Sequence, residues 1–531
     1  MKQGVIAGAD EARAWKLTLV LVGVLTILRV TALFLTPLEL YPDEAQYWLW
    51  SRTLDFGYYS KPPMIAWLIW LTTTVGGDAE PWIRVSTPLL NGLTALVIFR
   101  IAQRLYSAWA GLAAAAVFSL MPGVQLSSGV ITTDTPLLLF LALTIWAYAS
   151  LPAAEGRRKL LVAAGMGAAL GLAFLSKYAA VYAVIALLAH AALSREARRA
   201  WTPAALGAFV ALLAVVFAPN LHWNLEHHFK TLEHTADNAN WGSKQLFNLG
   251  ELAGFIGSQF MVFGPLPFAV LIGGGGLMIA RRRLKPADLL LLCFAVPPLI
   301  AVAGEAFVSR ANANWAAAAY VGGSVLVGGW MTRWRAQRWL IAGLAPQALL
   351  AALFLIWVVN PLIAERMGMA NSFKRARGWD ETVQAIIARA QEEQAKGGLS
   401  AVAVDDRFLF NVAAYYGRDY FAGPGAPPLR IWVHESAPQN QAETEAPLNA
   451  PLGRRALIAS LEGVYRPKIE QDFKAESGLE IIRVRLDHKH VRRTDLFIAE
   501  GFAPSPATPG PDGRPNPPRQ ARQPPKAFRV R

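Results

Sequence analysis

The sequence predicts an α-helical polytopic membrane protein with about 11 spans, juxtamembrane helices and a small C-terminal α/β domain. Three observations carry that reading. Of 531 residues, 54% are hydrophobic and 17% charged, with a mean hydropathy of +0.31, whereas a soluble chain carries about 25% charged residues. Runs of roughly twenty apolar residues recur through the first 360 positions, each long enough for a hydrocarbon core of about 30 Å. After residue 360 the runs stop, and short alternating and helically periodic segments replace them. This balance excludes an ordinary cytosolic enzyme.

Apolar length places helices at about 16–36, 84–104, 108–124, 134–151, 160–176, 178–193, 203–219, 251–279, 286–303, 312–331 and 339–360. The segment 62–75 is apolar but short and opens with Pro62 and Pro63, which suits a helix lying at the interface. No small-residue cleavage site follows the first apolar run, so that span is expected to be retained. Arg29, inside the first span, would cost roughly 2.5–3.5 kcal/mol facing lipid and is expected to face protein or a cavity. Gly167 and Gly171, four apart, should let two helices approach closely. Cys293, the single cysteine, permits no intrachain disulfide and reads as a small buried hydrophobe. The Gly273–Gly276 run lies inside an apolar span with no following Lys-Ser/Thr, so it is no nucleotide cradle.

Positive charge in short loops sets the expected orientation. Arg157, Arg158 and Lys159, then Arg195, Arg198 and Arg199, then Arg281, Arg282, Arg283 and Lys285, then Arg333, Arg335 and Arg338 fall on alternate loops. All four clusters therefore share one face with Lys2, Arg13 and Lys16. The expected topology has a cytoplasmic N-terminus and, after an odd number of spans, a periplasmic C-terminal domain. These thirteen residues and a basic tail account for much of the net charge of +14, so that charge implies no nucleic-acid partner.

The domain reading is a membrane domain over 1–360, an α/β domain over 361–502 and a tail over 503–531. Helices are expected at 379–396 and 408–417, and strands at 401–405, 429–433, 455–460, 480–486 and 494–499. The tail holds nine prolines, six basic residues and one acidic residue, a composition expected to be disordered.

The outer loops carry the unusual chemistry. Tyr41-Pro42-Asp43-Glu44-Ala45-Gln46-Tyr47-Trp48 sets two carboxylates among aromatics at the membrane surface. Such groups are costly there unless solvated, paired or used. Asp43 is open to two readings, a general base or the N-cap of a short helix. Asp134, in Thr132-Thr133-Asp134-Thr135-Pro136, likewise either caps a span or points into a cavity. Phe56-Gly57-Tyr58-Tyr59-Ser60-Lys61-Pro62-Pro63 combines aromatics with one lysine. Lys61 suits a phosphate and Tyr58 and Tyr59 a sugar or phosphate oxygen, yet the same residues serve as bilayer anchors. Lys177 and Arg310 are further cations at outer span ends, for a lipid phosphate or for snorkelling. The loop 220–250 holds His222, His227, His228 and His234 without the HExxH spacing of a zinc site, followed by Asp237, Asn240 and Trp241 as open carbohydrate contacts.

Taken in order, Tyr-Pro-Asp-Glu-Ala-Gln-Tyr-Trp, Tyr-Tyr-Ser-Lys-Pro-Pro, Thr-Asp-Thr-Pro and the later Ser-Arg-Ala-Asn-Ala-Asn-Trp resemble the family 39/83 glycosyltransferases. These are GT-C membrane enzymes that include lipid A aminoarabinose transferases, rhizobial galacturonic acid transferases and, more distantly, protein O-mannosyltransferases. The resemblance covers about 16–360. It implies a GT-C fold and transfer of a hexosyl or pentosyl group, with inversion, from a polyprenyl (undecaprenyl) phosphate donor to an outer-leaflet acceptor such as lipid A, in the bacterial inner membrane. Carried onto this chain, it makes Asp43 the base, Asp134 a second functional acid and Lys61 a ligand of the donor phosphate. Glu44, Tyr58, Tyr59, Lys177 and Arg310 follow as substrate-binding residues by position. No cofactor is required on this reading. A divalent metal is unsupported, because Ser60 stands where a Glu precedes the lysine in related families.

Two alternatives stay open in the sequence. One keeps the chemistry and changes the acceptor to a protein or cell-wall glycan. The other is a lipid or sugar transporter; against it, no internal repeat is evident and the acids lie in outer loops, not at midplane.

Overall fold

The computed structural model describes residues 2–231, 247–433 and 438–504, with side chains from residue 9. Most of the tail and the segment containing His234, Asp237, Asn240 and Trp241 lie outside the described residues. The chain forms two compact units, one of Met1–Pro37 with Leu54–Asn360, the other of Leu38–Thr53 with the chain from Pro361 onward.

The first unit is helical throughout, because a backbone in lipid must satisfy its N–H and C=O groups within its own segment. Each of the eleven apolar segments is helical over most of its length. Among the described residues, seven helices are long and apolar enough to cross a membrane: Ala9–Leu35, Glu80–Leu105, Asp134–Ala153, Gly156–Ser176, Pro203–Glu226, Pro286–Val308 and Gln337–Val359. The protein is a multi-pass membrane protein. Met64–Gly76, the segment expected at the interface, is a separate thirteen-residue helix.

Three of the expected spans are interrupted. The segment 251–279 divides into Leu249–Val262 and Pro265–Ala280 at Gly264, whose φ of 102° belongs to the region glycine favours. A Cβ there would fall 1.8 Å from Gln347 Nε2. The segment 108–124 breaks after Leu120, before Pro122, whose ring and missing N–H end the first helix. The segment 312–331 opens as a 3₁₀ turn over Ala313–Ala316 before the helix Ala319–Arg333.

Arg29 faces protein. It is 4% exposed, and its Nη2 donates to the Ser119 carbonyl (2.6 Å) and Gln125 Oε1 (2.8 Å). Ser119 lies in the last turn of the helix that Pro122 ends, where carbonyls lack intrahelical partners and a cation is favoured by the helix dipole. Asp288, fully buried, is satisfied by Tyr106 Oη (2.7 Å), Trp330 Nε1 (2.9 Å) and both terminal nitrogens of Arg333 (2.8 Å each). Gly167 and Gly171 do bring helices together: added Cβ atoms would lie 2.1 Å from the Phe209 carbonyl oxygen and 2.8 Å from Val216 Cβ. Cys293 is buried in the apolar core.

The second unit is built on a five-stranded mixed sheet in the order β2-β1-β3-β5-β4. The strands are β1 Ala401–Val404, β2 Leu429–Ile431, β3 Arg455–Leu461, β4 Ala475–Arg485 and β5 Val491–Glu500. β1 runs parallel to β2 and β3, while β3, β5 and β4 are antiparallel. β1 is buried along its whole length, as a strand between two parallel neighbours requires. Ala403, Ile458, Phe497 and Trp432 form part of the core. The helices Trp379–Gly397 and Arg407–Tyr416 match the periodic segments of the sequence. At the end of β1, Asp405 is 3% exposed and accepts from Ser460 Oγ (2.5 Å) and the Leu461 N–H (2.9 Å). Burial pushes its carboxyl up to about 7, against the pull of those two donors.

Candidate active site

In the second unit, Tyr41-Pro42-Asp43-Glu44 opens the helix Pro42–Ser51. Pro42 suits the first turn because its missing N–H would be unsatisfied there anyway. Tyr41, not Asp43, is the N-cap, and the Tyr41 N–H donates to Glu44 Oε2 at 2.9 Å. Glu44 is fully buried and its carboxylate serves the helix start. Asp43 is the one side chain of the ten that is exposed; Leu49 is half-buried and the rest are buried. Its carboxylate makes no hydrogen bond among the described residues and sits at the positive end of the helix dipole. Adjacent carboxylates thus separate into a structural one and a free one.

In the first unit, two corners distant in sequence converge on Asp134. It begins the helix Asp134–Ser150 and is 9% exposed. Lys177 Nζ, from the residue that ends the helix Gly156–Ser176, lies 2.6 Å from Asp134 Oδ1. Asn314 Nδ2, from the 3₁₀ turn Ala313–Ala316, donates to Asp134 Oδ2 at 2.9 Å. That turn is held in place by Gln259, whose Nε2 donates to the Ala313 carbonyl and whose Oε1 accepts from Tyr320 Oη.

The segment leading to Lys61 is strapped to the end of the helix Pro203–Glu226. Trp223 Nε1 donates to Asp55 Oδ2 (2.7 Å), Asn220 Nδ2 to the Phe56 carbonyl (2.6 Å) and Thr231 Oγ1 to the Tyr58 carbonyl (2.8 Å). The Tyr58 N–H donates to the Lys61 carbonyl (3.1 Å), closing the turn that presents the lysine. Gly57 has to be glycine: a Cβ would lie 2.4 Å from the Trp223 ring. Tyr178, next to Lys177, joins the two clusters, donating to Asn220 Oδ1 and accepting from Asn224 Nδ2, both at 2.9 Å. Through it the Lys61 turn and the Asp134–Lys177 pair share one hydrogen-bonded support.

Among the other residues expected from sequence, Tyr58 is 2% exposed and its hydroxyl accepts from the Asp55 N–H, so it packs within its own turn. Lys61 and Tyr59 are half-buried. Arg310 is exposed and, among the described residues, has no ion-pair or hydrogen-bond partner. His222 pairs with Glu226 at 3.2 Å on the exposed surface, and His227 stacks on Trp223 with ring centroids 4.0 Å apart. No three His, Cys, Asp or Glu residues among those described gather to hold a metal ion.

Sequence reasoning did not single out Asn314, Asn220, Asn224 or Asp55 as site residues. Asn220 and Asn224, one turn apart on an apolar helix, carried a signal, because polar pairs inside a span are costly unless they meet partners. Asn314 lay within a motif but had no pattern of its own to separate it from Asn312.

Residues 60–223 match the family model described as dolichyl-phosphate-mannose-protein mannosyltransferase. The chain is 37% identical over 429 residues to the lipid A galacturonosyltransferase RgtD of Rhizobium johnstonii, covering 78% of this chain and 86% of that protein. It is 25% identical over 391 residues to undecaprenyl phosphate-alpha-4-amino-4-deoxy-L-arabinose arabinosyl transferase 2 of Pseudomonas fluorescens, covering 64% of this chain and 62% of that one. Its fold is similar to the crystal structure of ArnT from Cupriavidus metallidurans in the apo state, with a TM-score of 0.63 at 15% identity over 92% of this chain and 98% of that one. The same protein bound to undecaprenyl phosphate gives a TM-score of 0.60 at 17% identity, over 90% and 97% of the two chains. Between the enzyme and the transporter that the sequence left open, these relatives decide for the enzyme. The chain belongs to the GT-C membrane glycosyltransferases of the family 39/83 type.

Proposed function

We propose that this glycosyltransferase moves a sugar from an undecaprenyl-phosphate donor to lipid A at the outer leaflet, with inversion at the anomeric carbon and Asp43 as general base. The observation that carries the reading is the state of Asp43, the single exposed side chain of a helix whose other side chains are buried or half-buried, with its carboxylate unspent. The donor and acceptor classes rest on the names of the relatives, one a lipid A galacturonosyltransferase and another an undecaprenyl-phosphate arabinosyl transferase.

On this reading Asp43 accepts the proton of the acceptor hydroxyl as its oxygen attacks the anomeric carbon. The bond from that carbon to the phosphate oxygen breaks on the opposite face, and polyprenyl phosphate departs as an anion. Lys61 and Arg310 neutralise its developing charge, which counts for more in a partly dehydrated site than in water. Asp134 holds Lys177 and Asn314 in place and acts through them, while Glu44 secures the helix that carries Asp43. The reading needs no cofactor and routes no step through a metal.

The topology that goes with it has a cytoplasmic N-terminus in the bacterial inner membrane, a catalytic domain over 1–360, a periplasmic domain over 361–502 and a tail over 503–531. Leu38–Thr53 belongs to the same compact unit as the periplasmic domain. The test uses membranes carrying Asp43→Asn, labelled undecaprenyl-phosphate sugar and lipid A. Transfer is expected to vanish while donor binding persists, and turnover at the wild-type rate removes Asp43 as the base. Mass spectrometry of lipid A with and without the gene identifies the sugar; an unchanged lipid A spectrum removes that acceptor.

A further inference from the structure

We propose that the C-terminal α/β unit is the positioning element of the base, and that Tyr416 and Tyr415 are positioning residues for Asp43. The inference rests on the reading of Asp43 as the base. Its structural ground is independent of that reading and lies wholly within the second unit.

Leu38–Thr53 is separated by more than 300 residues from the rest of the unit it belongs to, yet it is built into that unit by backbone as well as side chains. The Glu39 N–H donates to the Ala376 carbonyl (3.0 Å), and Glu39 Oε2 accepts from the Trp379 N–H (2.5 Å) at the start of the helix Trp379–Gly397. The Leu40 N–H donates to Tyr416 Oη (2.8 Å), and Tyr41 Oη to the Ser372 carbonyl (3.3 Å). Leu40 is fully buried, so its N–H has no water to turn to when that partner is lost. Farther along, Trp48 meets Tyr415 edge to face with ring centroids 5.0 Å apart, and Tyr415 packs on Tyr416 at 4.8 Å.

These contacts bracket Asp43 on both sides and leave its own carboxylate untouched. They also lead back to the buried sheet of the unit. Tyr415 and Tyr416 close the helix Arg407–Tyr416, whose start is capped by Asp406 Oδ1 through the N–H groups of Phe408 (2.7 Å) and Leu409 (3.2 Å). Asp406 follows directly on β1, the fully buried strand, and its neighbour Asp405 ties the end of β1 to β3 through Ser460 and Leu461. The path therefore runs from the sheet through one capped helix to a hydrogen bond three residues before Asp43. A general base has to sit within hydrogen-bond reach of the proton it takes. The arrangement supplies what that requires: an immobilised backbone and a free carboxylate.

Tyr416→Phe removes one oxygen and keeps the ring. Because a displacement of about 1 Å can cost 10²-fold in rate, we expect kcat to fall on the order of tenfold or more with donor KM unchanged. Tyr415→Ala should act in the same way, and Tyr415→Phe, which keeps the edge-to-face contact, should restore wild-type kcat. Tyr420→Phe, outside these contacts, serves as the control. All variants are assayed as the full-length protein in detergent, with donor binding and melting midpoint measured alongside. Wild-type kcat in both Tyr416→Phe and Tyr415→Ala overturns the proposal. So does a parallel loss of kcat, donor affinity and melting midpoint, the mark of a merely structural role. If Tyr416→Phe does not fold, the Tyr415 pair decides alone. An active Asp43→Asn variant sinks the base assignment instead; an inactive one beside fully active tyrosine variants sinks only this inference.

Discussion

Lys177→Met offers the sharpest test of the geometry around Asp134. Nζ and Oδ1 stand 2.6 Å apart, and the two side chains are 22% and 12% exposed, so this is a largely buried pair and not a surface one. Removing one partner of a buried pair costs about 3–5 kcal/mol, because the other charge is left desolvated and uncompensated. The residual exposure of the lysine, and the Asn314 amide that still donates to Asp134 at 2.9 Å, place the expected loss near the low end, about 3 kcal/mol. Asp134→Asn should cost a similar amount by stranding Lys177. The double variant Asp134→Asn/Lys177→Met removes both charges together and should recover most of the stability, since replacing a whole buried pair is often close to neutral. Reversible unfolding in mixed micelles with rising SDS measures each corner of this cycle. Sugar transfer, measured in parallel, should not recover in the double variant. If the two single losses simply add in the double, the two side chains are not coupled and the ion pair does not support the site.

Gly167→Ala forces a Cβ to within 2.1 Å of the Phe209 carbonyl oxygen, a backbone atom that cannot step aside. It should destabilise the membrane unit by about 1–3 kcal/mol, read as a lowered melting midpoint, whereas Gly165→Ala, with open space around its Cβ, should be neutral. Asp405 should give the α/β unit a pH dependence. Its carboxyl is pushed up to about 7, so the native state holds the proton longer than the unfolded chain does; the associated stability is full below about 4 and is lost as pH rises through about 7. Hydrogen exchange of peptides spanning 401–404 and 455–461, corrected for intrinsic rates, should show falling protection over that range, and Asp405→Asn should flatten it.

The positions of the helices were legible in the sequence for a simple physical reason. Lipid offers the backbone no partners, so each apolar run has to satisfy itself as a helix, and its length is read directly from the residues. The alternating segments after 360 became strands and helices on the same local logic, and Gly167 and Gly171 marked a close approach that depends only on having no side chain. The motifs around Asp43, Lys61 and Asp134 were visible too, because carboxylates and cations at a membrane surface are costly enough to stand out.

What those residues do to one another was decided by tertiary structure. Asp43 and Glu44 are adjacent and chemically alike, and only the start of the helix at Pro42 assigns one to the Tyr41 N–H and leaves the other free. Asp134 meets a lysine 43 residues away and an asparagine 180 residues away, and no periodicity in the chain encodes either distance. The breaks at Gly264 and before Pro122 show the same division: glycine and proline permit an interruption, while the packed partners, Gln347 in one case and Arg29 with the Ser119 carbonyl in the other, occupy the space and the polar groups it exposes. Local sequence sets which conformations are cheap, and the long-range contacts that reward one of them exist only once the chain has folded. The Asp43 loop is the clearest case: its sequence reads as a membrane-surface motif, and its partners Tyr415, Tyr416 and Trp379 lie more than 300 residues downstream.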